Sequence, residues 1–221
     1  MVLTRSQARN FYNRFGRKQD AQAFYEDAAL EEMIVHAAFS QSESVFEFGC
    51  GTGRFALNLL ERHLSSAATY LGSDLSQIMI DIARQRISPY ARRAKAVLSD
   101  GNINFPLPAE SVDRVISTYV LDLLSEEDIL NVISESRRVL KPSGKLCLVS
   151  LTHGITVASR VVAAMWLAVF RLHAPLVGGC RPIGLGAYLD LHEWSIEYHK
   201  VVVRFGVPSE VLIASPKILL S

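Results

Sequence analysis

The chain has 221 residues, of which 49% are hydrophobic, and a formal net charge of +1. This length suits one α/β domain with a substantial core, so we expect a single domain over residues 1–221. The near-neutral charge and the lack of a basic stripe argue against a nucleic-acid partner. Cys50, Cys147 and Cys180 are too widely spaced for a disulfide framework or a metal-ligand pair, which indicates a reducing compartment and no metal.

The sequence lacks a signal for secretion or membrane insertion. Its N-terminus is basic and polar without the apolar core of a signal peptide. The longest apolar stretch, Val161–Phe170, is much shorter than the roughly 20 residues that span a bilayer. We therefore expect a cytoplasmic protein without stable membrane insertion. Contact with a membrane interface and the oligomeric state stay open.

Helical and strand patterns alternate along the first two thirds of the chain. Residues 4–39 have helical spacing, with Gly16 dividing two helices, which predicts a helical cap over residues 1–40. A cofactor-binding core is predicted over residues 41–152, with Ser76 and Ser125 beginning two of its helices and Lys141–Gly144 forming a turn. Its predicted strands are 44–48, 69–73, 94–98, 112–117 and 145–151.

The regular alternation of strands and helices ends after the fifth strand. Residues 153–194 are predicted to form a substrate-side segment with an apolar helix over Val157–Leu172, which fits a core helix, a lid or an interfacial surface. Two further strands, 195–203 and 210–214, are joined by a link too short for a crossover. Residues 195–221 are therefore predicted to form an antiparallel hairpin. The whole pattern predicts a Rossmann-like doubly wound α/β sheet of about seven strands.

The stretch Val45–Ala56 predicts a strand, a tight turn and a helix. Its alternating glycines remove each Cβ where the backbone turns and a ligand approaches, and the helix start presents unpaired N–H groups there. Gly51–Ala56 also satisfies the dinucleotide pattern, with Asp74 at a suitable distance for a ribose, so an NAD(P)-dependent oxidoreductase is one hypothesis. Glu47 argues against it, because a carboxylate there suits a cationic group better than a pyrophosphate. The predicted terminal hairpin argues against it as well.

The motif Glu47-x-Gly49-x-Gly51-x-Gly53 resembles the first motif of class I S-adenosylmethionine-dependent methyltransferases. Asp74 resembles their ribose-binding acid, and Ser99–Asn102 resembles their adenine-contacting segment. The order and spacing match over about residues 40–152. Within this family the chain is most similar to the small-molecule C-methyltransferases of ubiquinone and menaquinone biosynthesis. Phe11–Phe15 partly resembles their N-terminal motif, with Asn13 in place of an aspartate, whereas their pattern around strand four is absent.

The resemblance implies S-adenosyl-L-methionine as cofactor and methyl transfer to a small, lipophilic or aromatic acceptor by in-line displacement. Asp74 would accept from both ribose hydroxyls, and Asp100 from the adenine amino group. Their alternative roles are a charge at a helix start and a turn former. The implied cofactor-binding residues are Glu47, Gly49, Cys50, Gly51, Gly53, Asp74, Leu75, Met79, Asp100, Gly101, Asn102, Thr118 and Tyr119.

Methyl transfer needs alignment and exclusion of water, and a base only for some acceptors. His153, which follows the fifth strand, is the first candidate for a base and His192 the second. Tyr12 and Tyr119 are candidates for shaping the catalytic pocket. Arg181 suits either an anionic substrate group or a carboxylate partner. A non-catalytic S-adenosylmethionine-binding module remains a further hypothesis.

Overall fold

The computed structural model describes residues 2–217, so residues 218–221 of the predicted hairpin segment lie outside the described residues. The helices are α1 (Arg5–Phe15), α2 (Ala23–Ala37), α3 (Arg54–Arg62), α4 (Gln77–Arg86), α5 (Glu126–Val139) and α6 (Val157–His173). The strands are β1 (Ser44–Phe48), β2 (Thr69–Asp74), β3 (Ala94–Leu98), β4 (Val112–Thr118), β5 (Leu140–Leu151), β6 (Trp194–Arg204) and β7 (Val207–Pro216).

The seven strands form one sheet in the order β3-β2-β1-β4-β5-β7-β6. Strands β1 to β5 are parallel, and β7 pairs antiparallel with both β5 and β6. The predicted doubly wound sheet and its C-terminal antiparallel pair are confirmed. The strand order reverses between β1 and β4, which is where such sheets open a crevice at their carboxyl ends.

Helix starts follow the expected capping chemistry. The Ser76 hydroxyl accepts from the backbone N–H of Met79 at 3.2 Å, and the Ser125 hydroxyl accepts from that of Asp128 at 3.1 Å. Thr4 and Gln7 form a reciprocal capping box at the start of α1. These caps fix where α1, α4 and α5 begin, close to the carboxyl edge of the sheet.

The two N-terminal helices pack in different places, and the division of the chain with a cap over residues 1–40 stays a prediction. Helix α1 packs on α4, whereas α2 packs on β5, β6 and β7 as part of the core layer. In α2, Ala29 and Met33 are fully buried in the same cluster as Leu59 of α3 and Ile80 of α4. Of the two helices, α1 therefore lies at the carboxyl edge of the sheet and α2 lies over its C-terminal strands.

Two turns differ from prediction. The expected turn at Lys141–Gly144 lies within β5, because the sheet register jumps from the pair Val112 and Leu140 to the pair Arg114 and Lys145. The resulting bulge is held by an ion pair of 2.9 Å between Lys141 Nζ and Asp113 Oδ1. The β6–β7 link is only Phe205-Gly206, with φ of +50° and +81°, the backbone that a two-residue hairpin requires.

The predicted apolar helix is present as α6. Together with the turn that follows, it forms the one stretch within residues 2–217, Val157–Val177, that is long and apolar enough to cross a bilayer. Its mean hydropathy is 1.4, and 17% of its most apolar window is buried. The core of a soluble protein also contains helices that satisfy this test. The length of the stretch therefore assigns no compartment.

Candidate cofactor and substrate site

A cavity of about 150 Å³ lies at the carboxyl ends of β1, β2 and β4. Helix α1 and the residues before it cover this cavity from the N-terminal side. The cavity wall includes Leu3, Arg5, Tyr12, Gln19, Phe48, Gly49, Ser73, Asp74, Leu75, Ser99, Gly101, Ile103, Thr118, Tyr119, Val120 and Leu123. Its position is the switch point of the sheet, where α/β folds of this kind bind their ligands.

The glycine turn forms the floor at the end of β1. Gly49, Gly51 and Gly53 have φ of +79°, +51° and +71°, a region that other residues rarely adopt. A Cβ at Gly49 would lie 2.3 Å from Val120 Cγ2, and one at Gly53 would lie 3.0 Å from Ala83. The turn therefore needs glycine for its backbone angles and for its close approach to Val120, just after β4, and to α4.

Asp74 connects the glycine turn to the start of α4. Its Oδ2 accepts from the Gly51 N–H at 2.9 Å and its Oδ1 from the Ser76 N–H at 2.8 Å. Burial raises the pKa of this carboxyl, and the backbone N–H groups of Ser76 and Gly51 partly oppose the shift. Each carboxylate oxygen retains a second lone pair for a ligand hydroxyl. Asp74 thus organises the turn and still faces the cavity.

Glu47 is a buried carboxyl, 1% exposed, beside a smaller cavity of about 40 Å³. Burial raises its pKa to about 7, and Asp74 adds to the shift, while a hydrogen bond of 2.5 Å from the Tyr70 hydroxyl opposes it. Gln19 lines both cavities, and its buried Oε1 has no hydrogen-bond partner. A free acceptor and a buried carboxyl beside the glycine turn are suited to a cationic ligand group.

The smaller cavity is also lined by Glu26, Cys50, Gly51, Thr52 and Arg54. Arg54 Nη2 donates to Glu26 Oε2 at 3.1 Å, and Arg54 also pairs with Asp27. Burial raises the pKa of Glu26 to about 7 against the opposing effect of Arg54. Sequence reasoning missed Gln19, Glu26 and Arg54, because helical periodicity marks their segments as amphipathic and carries no sign of a site.

The adenine side is only partly as predicted. Leu75 and Gly101 line the larger cavity, together with Ile103, whereas Met79 is 1% exposed in the core and does not line it. Asp100 and Asn102 are exposed and also lie outside its lining. Asp100 Oδ1 accepts from the Asn102 N–H at 2.8 Å, which is the turn-forming role considered as its alternative. Their contact with adenine remains a prediction.

Tyr12, Thr118 and Tyr119 also line the larger cavity. The Tyr119 hydroxyl donates to Ser209 Oγ at 2.8 Å, and the Tyr12 hydroxyl to the Gly178 carbonyl at 3.4 Å. Burial raises the pKa of both phenols, so neither ionises near neutral pH. Tyr119 also has a φ of +55°, a strained backbone of the kind that clusters at functional sites. Because both hydroxyls already donate within the protein, these side chains are suited to shaping the pocket and to accepting a hydrogen bond.

The predicted bases lie elsewhere. His153 and His192 are exposed and belong to the lining of neither cavity. Arg181 Nη1 donates to the backbone carbonyl of Asp122 at 3.0 Å rather than to a carboxylate, and its contact with an anionic substrate group stays a prediction. The structure does not bring these three residues to the cavities.

Asp122 is a buried acid that sequence reasoning did not single out. It is 0% exposed and both carboxylate oxygens lack a hydrogen-bond partner. Burial raises its pKa to about 7, and nearby backbone N–H groups, which do not reach hydrogen-bonding geometry, oppose the shift only in part. Charge on Asp122 also contributes to the raised pKa of Tyr12 and of the Cys180 thiol. Asp122 is therefore a buried carboxyl close to Tyr12 and Cys180.

Comparison with known proteins supports the resemblance found in the sequence. The Methyltransferase domain family matches residues 45–144, which include the glycine turn, Asp74 and β4. The resemblance to class I S-adenosylmethionine-dependent methyltransferases is confirmed, and this class uses S-adenosylmethionine as its methyl donor.

Individual relatives cover the same part of the chain. An uncharacterized methyltransferase of Geobacillus sp. (strain WCH70) is 30% identical over 120 residues, 54% of this chain and 52% of the relative. A demethylmenaquinone methyltransferase of Lactococcus lactis is 29% identical over 110 residues, 50% and 42% of the two chains. The tRNA N(3)-methylcytidine methyltransferase Mettl2 of Drosophila melanogaster is 27% identical over 126 residues, 56% and 39%. The chain thus spans about half the length of these relatives or less.

Among solved structures, the [4+2]-cyclase SpnF superposes with a TM-score of 0.73 at 16% identity, covering 98% of each chain. At this identity the likeness shows the fold alone. Because that neighbour is a cyclase, the fold by itself does not establish methyl transfer.

Proposed function

We propose that this protein transfers a methyl group from S-adenosylmethionine to a small, lipophilic or aromatic acceptor by in-line displacement. The observation that carries the proposal is the pair of adjoining cavities at the switch point, which share Gln19, Gly49, Thr118 and Tyr119 in their walls. The smaller cavity offers the carboxyls of Glu26 and Glu47, and the larger one offers Asp74, two tyrosines and aliphatic side chains. This arrangement suits a donor that extends from the smaller cavity past Asp74, with an apolar acceptor beside the tyrosines.

The residues present fit the donor. Glu47 and the free Oε1 of Gln19 would hold its cationic amino acid portion, and the three glycines allow it to approach the backbone. Asp74 would accept from the ribose hydroxyls, and Leu75 with Ile103 would pack on the base. When bound, S-adenosylmethionine supplies a methyl carbon already activated by its sulfonium.

On the acceptor side, Tyr12 and Tyr119 would orient the substrate, while Leu3, Val120 and Leu123 exclude water. No histidine among residues 2–217 lines either cavity. We therefore propose that alignment and water exclusion dominate, with acceptors that need no strong base. His153 remains a prediction for a role outside the cavity shown here.

The cavity and the net charge both bear on whether the methyl acceptor is a small molecule or a nucleic acid. One relative is named for demethylmenaquinone and another for tRNA cytidine. A net charge of +1 and a cavity covered by α1 favour the small molecule.

We also propose that the protein is located in the cytoplasm.

The test begins with isothermal titration of S-adenosylhomocysteine and, separately, NADPH into the protein. We expect saturable binding of the first and none of the second; the reverse would favour an oxidoreductase and overturn the proposal. Transfer of a labelled methyl group is then measured with phenols, hydroquinones and unmodified tRNA as acceptors. Turnover on tRNA alone would reject the small-molecule acceptor, and cofactor binding without turnover would identify a binding module.

A further inference from the structure

Helix α6 presents its apolar side to solvent. Val157, Val161, Met165 and Leu172 are 79%, 53%, 64% and 87% exposed. Their spacing of four, four and seven residues places them on one stripe of the helix, with Ala168 completing it. We call these five residues the α6 stripe. An exposed apolar stripe of this length is unusual on a soluble domain and marks a contact surface.

Two arginines border the α6 stripe, and the helix and its flanking segments contain no acidic residue. Arg160 and Arg171 are exposed and, at 100° per residue, lie together along one side of the stripe. The sequence contains no Asp or Glu between Glu135 and Asp190. The charge pattern around the stripe is therefore purely cationic over the helix and its flanks.

An aromatic pair lies beside the helix. Phe205, in the β6–β7 turn, is 70% exposed and its ring centroid lies 5.8 Å from that of Phe24, which is 58% exposed. Arg204 lies over the Phe205 ring at 4.8 Å. This turn adjoins α6, because a Cβ added at Gly206 would lie 3.2 Å from Val162 Cγ2. Aromatic side chains with neighbouring arginines are typical of surfaces at the boundary between lipid and water.

The opposite side of α6 is attached to the protein. Ser159, Ala163 and Phe170 are buried, and Trp166 Nε1 donates to the Cys180 carbonyl at 3.1 Å. A helix that spanned a bilayer would lose these contacts and bury Arg171 among lipid chains. A helix lying flat on the bilayer keeps both.

We propose that the α6 stripe, with Phe205 and Arg204, is a docking surface for an anionic lipid bilayer. The stripe enters the headgroup boundary while Arg160, Arg171 and Arg204 meet lipid phosphates. The proposal is independent of the methyl acceptor, since docking requires no turnover.

The experiment is co-sedimentation of the purified chain with vesicles of phosphatidylcholine alone and of phosphatidylcholine with phosphatidylglycerol. We expect binding to the second and at least about tenfold weaker binding to the first, because each basic residue near an anionic surface contributes about a factor of five. Val161→Asp with Met165→Asp should reduce binding about tenfold or more. Arg160→Glu with Arg171→Glu should remove the preference for anionic vesicles.

The matched control is Val35→Asp, because Val35 is 74% exposed on α2, outside the stripe. Equal loss in this control, or equal binding to neutral and anionic vesicles, would overturn the proposal. Light scattering provides a second measurement. A dimer that Met165→Asp dissociates would show that a second copy covers the stripe and would also overturn it. Circular dichroism of each variant distinguishes loss of docking from loss of folding.

Discussion

The hydroxyl of Tyr70 on β2 donates a 2.5 Å hydrogen bond to the buried carboxyl of Glu47 on β1, directly beneath the glycine turn. This bond is the principal interaction that favours the ionised form of Glu47, whereas burial and Asp74 favour the protonated form. The balance leaves Glu47 with a pKa of about 7. A cation bound in the adjoining cavity would shift that balance toward the carboxylate.

Affinity for S-adenosylmethionine is therefore expected to rise with pH up to about pH 7, because ligand binding favours ionised Glu47. Tyr70→Phe removes the bond that stabilises the carboxylate, so the inflection should move to higher pH. Isothermal titration over a pH series measures both. Tyr90→Phe, in a turn remote from the cavity, is the matched control. A flat pH profile in the unaltered protein would contradict this role of Glu47.

Asp74→Asn should weaken binding of S-adenosylhomocysteine about tenfold or more. The amide retains the shape of the side chain but loses the charge that accepts from Gly51 N–H, Ser76 N–H and the ribose hydroxyls. Titration calorimetry measures the change, and Asp81→Asn on the exposed side of α4 is its control. Unchanged affinity in Asp74→Asn would reject the ribose contact.

Gly49→Ala should abolish detectable binding while leaving a folded chain of lower stability. The added Cβ lies 2.3 Å from Val120 Cγ2, and a φ of +79° costs an alanine about 1–2 kcal/mol. Gly184→Ala meets no atom within 4 Å and should bind as the unaltered protein does. Adding Val120→Ala to Gly49→Ala removes the clash with the added Cβ but not the unfavourable φ at position 49. The double variant should therefore recover part of the lost stability.

The stability of this protein should fall as pH rises from about 4 to about 7. Asp122 ionises near pH 4 when unfolded but has a folded pKa of about 7, so the folded state binds the extra proton throughout that window. Above the folded pKa the loss in the free energy of unfolding no longer grows, and it reaches at most about 4 kcal/mol for Asp122. Glu26 and Glu47 act in the same direction.

Asp122→Asn should make this decline shallower without removing it. Urea unfolding at a series of pH values measures the slope, with Asp81→Asn as the control on an exposed carboxyl. An unchanged slope in Asp122→Asn would mean that the carboxyl finds a partner in solution. A rise of stability with pH in the unaltered protein would contradict the raised pKa values as a group.

Much of the fold follows from local patterns in the sequence. Alternating apolar segments, the caps at Ser76 and Ser125 and the short β6–β7 link depend on neighbours within a few residues, and they determined the sheet and its terminal antiparallel pair. Local spacing failed where a distant partner intervened. Lys141–Gly144 became a bulge of β5 because Asp113 and Lys141 pair across the sheet.

For the site, the sequence by itself determined the elements that a backbone turn requires: the three glycines, Glu47 before them and Asp74 after β2. The tertiary structure alone decided which other side chains face that turn. It brought Gln19, from the segment between α1 and α2, to the cavity wall that also contains the predicted Tyr12, left His153 exposed and buried Asp122 without a partner. The physical reason is that burial, and therefore pKa and access to a ligand, depends on contacts between residues remote in the chain, which local spacing does not encode.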